Sequence, residues 1–331
     1  MTANPKVLIT DTPWESTAVE ESILDEVGAT LVRAEHGTEA ELVSLAADAD
    51  AILTCFAQVT PAVVAAGERL RVIGRYGVGT DNIAVDEATR REILVTNVPE
   101  YCTAEVVEHA LGLLLSLARG IHRYDRAVRE GAWSLEPGTP IRRVAGRTLG
   151  VVGFGTIGRE MAARARALGL EVVVHNVEPE PAAASGFEPV GLLELARRSD
   201  FVSLHVPLTE ETRGMVDAGF LAAMGPDAYL INCARGAVVD HDALVQALAA
   251  GTIRGAAMDV FEPEPLPADH PLLASERLLA TPHVAYYSAE SMHELARAGA
   301  ENVGAVLAGR RPASTVNPEL LSQPRWAGLS S

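Results

Sequence analysis

Apolar and polar positions along the first hundred residues follow two alternating patterns. Short apolar runs, typical of buried β-strands, are separated by segments with apolar residues at helical spacing, such as 15–27 and 39–47. The strand-like runs are 6–10, 29–34, 51–55, 71–75 and 93–98. Regular alternation of this kind predicts a parallel sheet with helices on both faces.

A second series of the same kind follows a long helical stretch. The helical pattern covers 103–129, is interrupted near Gly120, and is followed by a loop containing Pro137, Gly138 and Pro140. The predicted strands of the second series are 148–153, 171–175, 201–205, 228–233, 255–260 and 278–281. A last helix is predicted at 289–308. The two halves therefore share an α/β pattern without a visible sequence repeat.

A glycine fingerprint lies between the first strand of the second series and a helical pattern at 159–168. Its glycines are Gly153, Gly155 and Gly158. In this setting the first glycine forms a tight turn, the second lets the backbone approach a pyrophosphate, and the third lets helix pack on strand. The helix N-terminus then faces the phosphates with the positive end of its dipole. The pattern predicts a dinucleotide site preceded by enough chain for another domain.

Length, charge and cysteine usage narrow the class of protein. At 331 residues the chain exceeds the size of a single core, so two domains are expected. A net charge of −17 argues against a nucleic-acid partner or an anionic membrane surface. Three dispersed cysteines without metal-ligand spacing predict a reduced, cytoplasmic protein with no metal site, and no apolar stretch is long enough to span a bilayer.

The residue expected to hold the adenosine ribose favours one cofactor over another. An acidic residue normally follows the fingerprint by about 20 positions, and Asn176 stands there. An amide can bind a ribose hydroxyl but does not repel a 2′-phosphate. Glu178 and Glu180 follow without a nearby Arg or Lys, so NAD is favoured while NADP stays open.

Four polar side chains follow three strands of the second series. Arg235 comes after 228–233, Glu262 and Glu264 come after 255–260, and His283 comes after 278–281. Ligands of doubly wound folds bind at this carboxyl edge. Arginine can clamp a carboxylate, and a carboxylate beside an imidazole orients it for proton exchange. These residues predict a site for a keto or hydroxy acid.

Taken in order, these motifs resemble those of the D-isomer-specific 2-hydroxyacid dehydrogenases over nearly the whole chain. The matching segments are Arg-Tyr-Gly-Val-Gly-Thr-Asp-Asn-Ile at 75–83, Asn-Val-Pro at 97–99, the fingerprint, His-Val-Pro-Leu-Thr at 205–209, and the segments 232–236, 259–265 and 281–285, which follow the three strands named above. Segments 97–102 and 283–288 look most like the C-terminal-binding-protein branch of that family.

The resemblance implies roles for individual residues. Arg235 looks like the arginine that grips the substrate carboxylate and keto oxygen, His283 like the acid/base, and Glu264 like the partner of that histidine, with Glu262 fitting less well. The substrate-binding residues implied are Tyr76, Gly77, Val78, Gly79, Arg235, His283 and Tyr286. The Tyr286 ring could line the substrate pocket or narrow it.

The resemblance also implies a cofactor set, in which Asp259 and Thr103 match positions near the nicotinamide carboxamide. The set comprises Gly153, Phe154, Gly155, Thr156, Ile157, Gly158, Asn176, His205, Val206, Pro207, Thr212, Cys233, Ala234, Asp259, Thr103, His283 and Ala285.

We therefore expect two doubly wound α/β domains with an interdomain cleft. Residues 101–284 would form a Rossmann cofactor domain, and residues 1–100 with 285–331 a discontinuous, flavodoxin-like substrate domain. The expected activity is reversible NAD(H)-linked reduction of a 2-keto acid to a D-2-hydroxy acid by a homodimer. Two alternatives stay open: an NADH-sensing interaction protein of the corepressor type, and a dehydrogenase acting on a phosphonate or phosphite anion.

Overall fold

The computed structural model describes residues 4–135 and 140–330, and the predicted loop positions Pro137 and Gly138 lie outside them. The strands are β1 Lys6–Ile9, β2 Thr30–Arg33, β3 Ala51–Thr54, β4 Val72–Arg75, β5 Leu94–Thr96, β6 Thr148–Val152, β7 Glu171–His175, β8 Glu188–Pro189, β9 Phe201–Leu204, β10 Tyr229–Asn232, β11 Gly255–Met258 and β12 Leu278–Ala280. The α-helices are α1 Ala18–Asp25, α2 Glu39–Ala46, α3 Pro61–Ala66, α4 Val85–Arg90, α5 Thr103–Arg119, α6 Ile121–Arg129, α7 Thr156–Ala167, α8 Glu180–Ala184, α9 Leu192–Arg198, α10 Ala218–Met224, α11 His241–Ala250 and α12 Ala289–Leu307.

The chain divides into two compact units. The first unit consists of the described parts of Met1–Tyr101 and Ser288–Ser331, and the second unit is the described part of Cys102–Tyr287. The roles predicted for the two parts of the chain, and the cleft, stay predictions.

The first unit is built on a five-stranded parallel sheet. Its strand order, β2-β1-β3-β4-β5, is the flavodoxin-like order. One face is covered by α1 and α12 and the other by α2, α3 and α4, so the sheet is doubly wound. Gly74 in β4 permits the close approach of α12, because a Cβ there would lie 2.7 Å from Val303 Cγ2. The last long helix thus belongs to the first sheet.

The second unit is built on a seven-stranded parallel sheet of order β12-β11-β10-β9-β6-β7-β8. Counted from β6, this is the Rossmann order with one added edge strand. Apolar residues of the strands point alternately to a core with α9, α10 and α11 and to a core with α5 and α7. The strand order reverses between β6 and β9, where this fold binds its ligand.

Predicted and observed elements agree in type, and most observed strands end one or two residues earlier than predicted. Gly120 ends α5 with φ +64, where the helical pattern predicts an interruption. The sequence does not indicate β8, because its two residues are both exposed and carry no apolar alternation. Within the described residues, no helix is both long enough and apolar enough to cross a membrane.

Candidate active site

The fingerprint turn is shaped by two glycines that have no room for a side chain. Gly153 has φ +94, and a Cβ there would lie 2.5 Å from the carbonyl oxygen of His205. A Cβ on Gly158 would lie 2.1 Å from the carbonyl oxygen of Gly153. The first glycine therefore lets β6 and β9 approach each other, and the third lets α7 pack against the turn.

The second glycine of the fingerprint, Gly155, borders open space. A Cβ on Gly155 would meet no described atom within 4 Å, and Gly155 caps α7 without a side-chain hydrogen bond. Backbone N–H groups at an uncapped helix N-terminus favour a phosphate. Thr103 Oγ1 is also buried without a hydrogen-bond partner at the start of α5. These residues fit a dinucleotide, because the space at Gly155 and the start of α7 could hold its pyrophosphate and Thr103 Oγ1 could form a hydrogen bond with it.

Asn176 ties the fingerprint turn to the end of β7. Its Oδ1 accepts the N–H of Phe154 at 3.0 Å, and its Nδ2 donates to the carbonyl oxygen of Glu178 at 2.8 Å. The Phe154 side chain is buried and packs edge-to-face against Phe187. Phe154 therefore belongs to the core, and its N–H group is already used.

Other predicted cofactor residues lie at the ends of β9 and β10. Burial lowers the pKa of His205 to about 4, so its imidazole is neutral at physiological pH. Its Nε2 lies 2.9 Å from Ser203 Oγ. The Thr212 hydroxyl donates to the carbonyl oxygen of Pro207 at 2.6 Å and closes the loop that contains Val206, Pro207 and Thr212. Burial raises the pKa of Cys233 well above its usual value, which makes it an unreactive thiol.

The structure places His283 and Glu264 in direct contact. His283 Nδ1 lies 2.7 Å from Glu264 Oε2, and Glu264 Oε1 accepts the N–H of Phe261 at 2.7 Å. Burial alone would raise the pKa of Glu264, but the hydrogen bond and charge of His283, the Phe261 N–H and the charge of Arg235 together lower it. Glu264 is therefore a carboxylate at neutral pH. Glu262 acts electrostatically on His241.

Arg235 reaches this cluster because two segments approach closely. A Cβ on Gly236 would lie 2.1 Å from the carbonyl carbon of Phe261, so only glycine fits between these segments. Buried Asn232 shapes the preceding turn, donating to the Arg235 carbonyl oxygen at 2.9 Å and accepting the Ala234 N–H at 2.9 Å. The Arg235 guanidinium donates to the Ala234 carbonyl oxygen at 2.8 Å. These contacts place a cation beside the His283–Glu264 pair.

Asp259 holds His283 in an unusual backbone conformation. His283 has φ +54, a value that non-glycine residues rarely adopt. The backbone oxygen of Asp259 accepts the His283 N–H at 2.7 Å. Its buried carboxylate accepts the N–H groups of Val284 at 3.0 Å and Ala285 at 2.9 Å, and the hydroxyl of Thr281 at 2.5 Å. Asp259 thus fixes the peptide on both sides of the histidine.

The predicted substrate-binding residues 76–79 belong to the first unit and are called the substrate loop below. The Tyr76 side chain is buried there and donates its hydroxyl to Glu20 Oε1 at 3.0 Å. Gly77 is buried as well, whereas Val78 and Gly79 reach the surface. Within the described residues, neither the Val78 N–H nor the Gly79 N–H donates to another atom of the chain. Two adjacent unused N–H groups suit an anion. In the second unit, the Tyr286 ring lies edge-on to His283 with centroids 6.0 Å apart.

Sequence reasoning missed His109 as part of this cluster. Its Nε2 lies 3.0 Å from Thr281 Oγ1 and 3.5 Å from Asp259 Oδ1. His109 lies on α5, far from these residues in the chain, so only the packing of α5 against the sheet could have revealed the contact. Among the described residues, no group of His, Cys, Asp and Glu is arranged to hold a metal ion.

Comparison with known proteins yields one family. Residues 111–285 match the D-isomer specific 2-hydroxyacid dehydrogenase, NAD binding domain. The chain is 42% identical to a glyoxylate reductase of Korarchaeum cryptofilum over 280 residues, which cover 83% of this chain and 84% of the relative. It is 38% identical to a D-3-phosphoglycerate dehydrogenase of Methanocaldococcus jannaschii over 328 residues.

The second relative is longer than this chain, since the match covers 98% of the chain but 62% of the relative. Among solved structures, an NADPH-dependent glyoxylate/hydroxypyruvate reductase of Sinorhizobium meliloti, in complex with NADP and malonate, aligns with a TM-score of 0.85 and 32% identity. That alignment covers 95% of this chain and 97% of the other. The likeness to the C-terminal-binding-protein branch stays a prediction.

Proposed function

Because this chain belongs to the D-isomer-specific 2-hydroxyacid dehydrogenases, a family of NAD(P)-dependent oxidoreductases, we propose that it interconverts a small 2-keto acid and a D-2-hydroxy acid. The observation that carries the proposal is the 2.7 Å contact between His283 Nδ1 and Glu264 Oε2, with Arg235 beside it. When bound, the nicotinamide cofactor supplies or accepts the hydride.

The fingerprint binds the pyrophosphate in this proposal. The uncapped N-terminus of α7, from Thr156 and Ile157 onward, directs N–H groups and a positive dipole end at the phosphates. The open space at Gly155 lets the pyrophosphate approach the backbone. Thr103 Oγ1, buried and unpartnered, would be available to hold the carboxamide of the cofactor.

His283 exchanges the proton with the substrate oxygen. Its Nδ1 is bound to Glu264, so its Nε2 is the nitrogen that donates during reduction and accepts during oxidation. The Glu264 carboxylate stabilises the imidazolium form and fixes the plane of the ring. The strained backbone held by Asp259 keeps the ring in position without a rearrangement at the moment of reaction.

Arg235 and the substrate loop bind the acid group. A guanidinium offers a planar pair of donors to a carboxylate or keto oxygen. The unused N–H groups of Val78 and Gly79 offer two further donors.

Residues after β7 favour NAD(H) over NADP(H). Glu178 and Glu180 follow Asn176, and 175–180 contains no Arg or Lys that could pair with a 2′-phosphate. The similar Sinorhizobium meliloti protein is NADPH-dependent, and parallel assays with NADH and NADPH test the preference of this chain.

The test is NADH oxidation, followed by absorbance, with glyoxylate, hydroxypyruvate, pyruvate, phenylpyruvate and branched-chain keto acids, and with NADPH in parallel. We expect turnover of a small 2-keto acid with NADH, a D-configured product where the product is chiral, and loss of turnover in His283→Ala. The proposal fails if the protein binds NADH but reduces none of these acids. In a separate assay with NAD+, oxidation of phosphite to phosphate, followed as NADH formation, would assign the protein to the anion-oxidising alternative.

We also propose that the protein is a homodimer that uses a surface around α6. Within the described residues no side chain of α6 is buried, and Ile121 and Val128, seven positions apart on one helical face, are 57% and 51% exposed. Trp133 and Leu135, which follow the helix, are each 90% exposed. Clustered apolar exposure of this kind marks a protein interface. Within the described residues Cys55, Cys102 and Cys233 form no disulfide, and we propose a cytoplasmic location on that basis.

A further inference from the structure

The substrate loop of the first unit is held from behind through its carbonyl groups. The Gly77 carbonyl oxygen accepts the N–H of Val98 at 2.9 Å. The Val78 carbonyl oxygen accepts Asn97 Nδ2 at 2.8 Å. The N–H groups on the other side of these two peptides are those of Val78 and Gly79, and neither donates to an atom of the described chain.

Because the peptide bond is planar, these contacts fix the directions of the Val78 and Gly79 N–H groups. In a trans peptide the C=O and the following N–H point in opposite directions within one plane. The bond from Asn97 to the Val78 carbonyl therefore determines where the Gly79 N–H points. The bond from Val98 to the Gly77 carbonyl does the same for the Val78 N–H. The donor to the Gly77 carbonyl is the backbone N–H of Val98, whereas the donor to the Val78 carbonyl is the side chain of Asn97, which can be substituted.

Asn97 is itself held by the C-terminal part of the chain. Ser314 Oγ donates to Asn97 Oδ1 at 2.5 Å, which leaves Nδ2 as the end that faces Val78. Asn302 Nδ2 on α12 donates to the Asn97 carbonyl oxygen at 3.1 Å, and Asn302 Oδ1 accepts the Ala313 N–H at 2.9 Å. The segment after α12 is thus linked to the substrate loop through one asparagine.

We propose that Asn97, oriented by Ser314, is a positioning residue that aims the Gly79 N–H at the substrate carboxylate. The proposal rests on the proposed function. The hydrogen bonds that Asn97 forms in the described structure join it to Val78, Asn302 and Ser314, all within the first unit, so its substitution should weaken binding of the acid and leave the chemical step and NADH binding unchanged. This separates a positioning role from a general loss of structure.

The test compares Asn97→Asp, Asn97→Ala and Ser314→Ala with the wild type. Asn97→Asp keeps the shape but replaces the donor with an acceptor that repels the Val78 carbonyl. We expect KM for the keto acid to rise about 10-fold in both Asn97 variants, with kcat within about twofold, which is the signature of lost uniform binding. Ser314→Ala permits the amide to rotate, and we expect KM to rise about threefold. Ser322→Ala is the matched control, because its hydroxyl lies on the same C-terminal segment and, among the described residues, donates locally to the Glu319 carbonyl oxygen.

A second measurement does not need turnover. Calorimetric titration of the NADH-loaded protein with oxalate should show the same weakening in the Asn97 variants, while NADH affinity stays at the wild-type value. Unchanged KM and oxalate affinity in Asn97→Asp would overturn the proposal, as would a fall in kcat with KM unchanged. Wild-type protein that binds oxalate without reducing any keto acid would contradict the proposed function alone. Wild-type protein that does neither would overturn both.

Discussion

At the residue scale, the candidate site depends on a histidine whose backbone conformation is unfavourable by itself. His283 has φ +54, and Asp259 bonds to the peptide N–H of His283 and of the two residues that follow it. Such strain persists only where surrounding bonds over-determine it. The resemblance implies that Asp259 is a cofactor residue, and the structure shows that it also holds the backbone at His283.

Asp259→Asn tests this support. An amide nitrogen would face the N–H of Val284 or Ala285, so two donors would oppose each other where a carboxylate accepts both. We expect kcat to fall about 100-fold because His283 shifts from its position, and NADH affinity to be measured separately by fluorescence. Asp240→Asn is the control, since Asp240 caps α11 through its side chain and asparagine caps helices equally well. Wild-type kcat in Asp259→Asn would contradict the account.

Glu264→Gln tests the carboxylate that partners His283. The amide keeps the shape but cannot stabilise an imidazolium, so we expect kcat/KM to fall about 100-fold. The measurement is steady-state kinetics at neutral pH, with the substrate identified by the keto-acid panel. A fall confined to KM would mean that Glu264 acts on binding and not on proton exchange.

The stability difference between the wild type and Glu264→Gln should depend on pH. Burial opposes ionisation of Glu264, but its contacts, led by His283, lower the pKa of the folded carboxyl. A lowered pKa stabilises the fold at pH values above the unfolded pKa of about 4.3, and this contribution is lost as pH falls through the folded pKa. The unfolding midpoints of the wild type and Glu264→Gln should therefore differ at pH 6 and converge below about pH 4. A constant difference across that range would contradict the assignment.

At the element scale, two glycines of the turn between β6 and α7 have different roles: Gly158 allows packing, whereas Gly155 leaves space for a ligand. A Cβ on Gly158 would meet the Gly153 carbonyl oxygen at 2.1 Å, whereas a Cβ on Gly155 would meet no described atom within 4 Å. The two glycines belong to one motif, yet one faces protein and the other faces open space.

Substituting each glycine with alanine gives a matched pair. Gly158→Ala forces helix and strand apart, and we expect a loss of about 2–4 kcal/mol in the free energy of unfolding. Gly155→Ala should leave that free energy unchanged and weaken NADH binding at least about 10-fold, because the new methyl group fills the space meant for the pyrophosphate. Thermal unfolding and NADH fluorescence titration measure the two effects. Equal NADH affinity in Gly155→Ala and wild type would rule out the proposed phosphate site.

The elements most visible in the sequence are those with one strong periodic signal. The β6–α7 pair and the interruption at Gly120 follow from apolar spacing and from glycine placed where the backbone must turn. β8 could not be predicted, because Glu188 and Pro189 are both exposed. The contact of His109 with Thr281 could not be predicted either, since it joins α5 to the end of β12 and depends on how that helix packs.

At the scale of the whole molecule, the resemblance explains what local patterns leave open. The sequence alone shows two alternating halves, while the order of motifs implies that the last helix returns to the first sheet, as α12 does. The turn at Gly153 and Gly158 could be predicted because a side chain at either position would clash with the backbone, while its role in binding a dinucleotide stays a proposal. The tie between Asn97 and Ser314 could not, because it joins segments separated by more than two hundred residues.

The proposed dimer is testable through its exposed apolar surface. Replacing Ile121 and Val128 together with Asp puts two charges on one face of α6, and burying them in an interface would be costly. We expect wild-type protein to sediment at twice the 35.0 kDa chain mass and the double variant to sediment as a monomer. Leu193→Asp is the control, because Leu193 is an exposed apolar residue on α9, away from this surface in the chain. A monomeric wild type would refute the proposal.

The most direct test of the whole account is NADH oxidation by wild-type protein and by His283→Gln with the preferred 2-keto acid. NADH affinity of both proteins is measured alongside by fluorescence. We predict steady turnover by the wild type and a loss of at least about 1000-fold in kcat for His283→Gln with NADH affinity unchanged. Turnover that survives in His283→Gln, or wild-type protein that binds NADH and reduces no keto acid, would contradict the account.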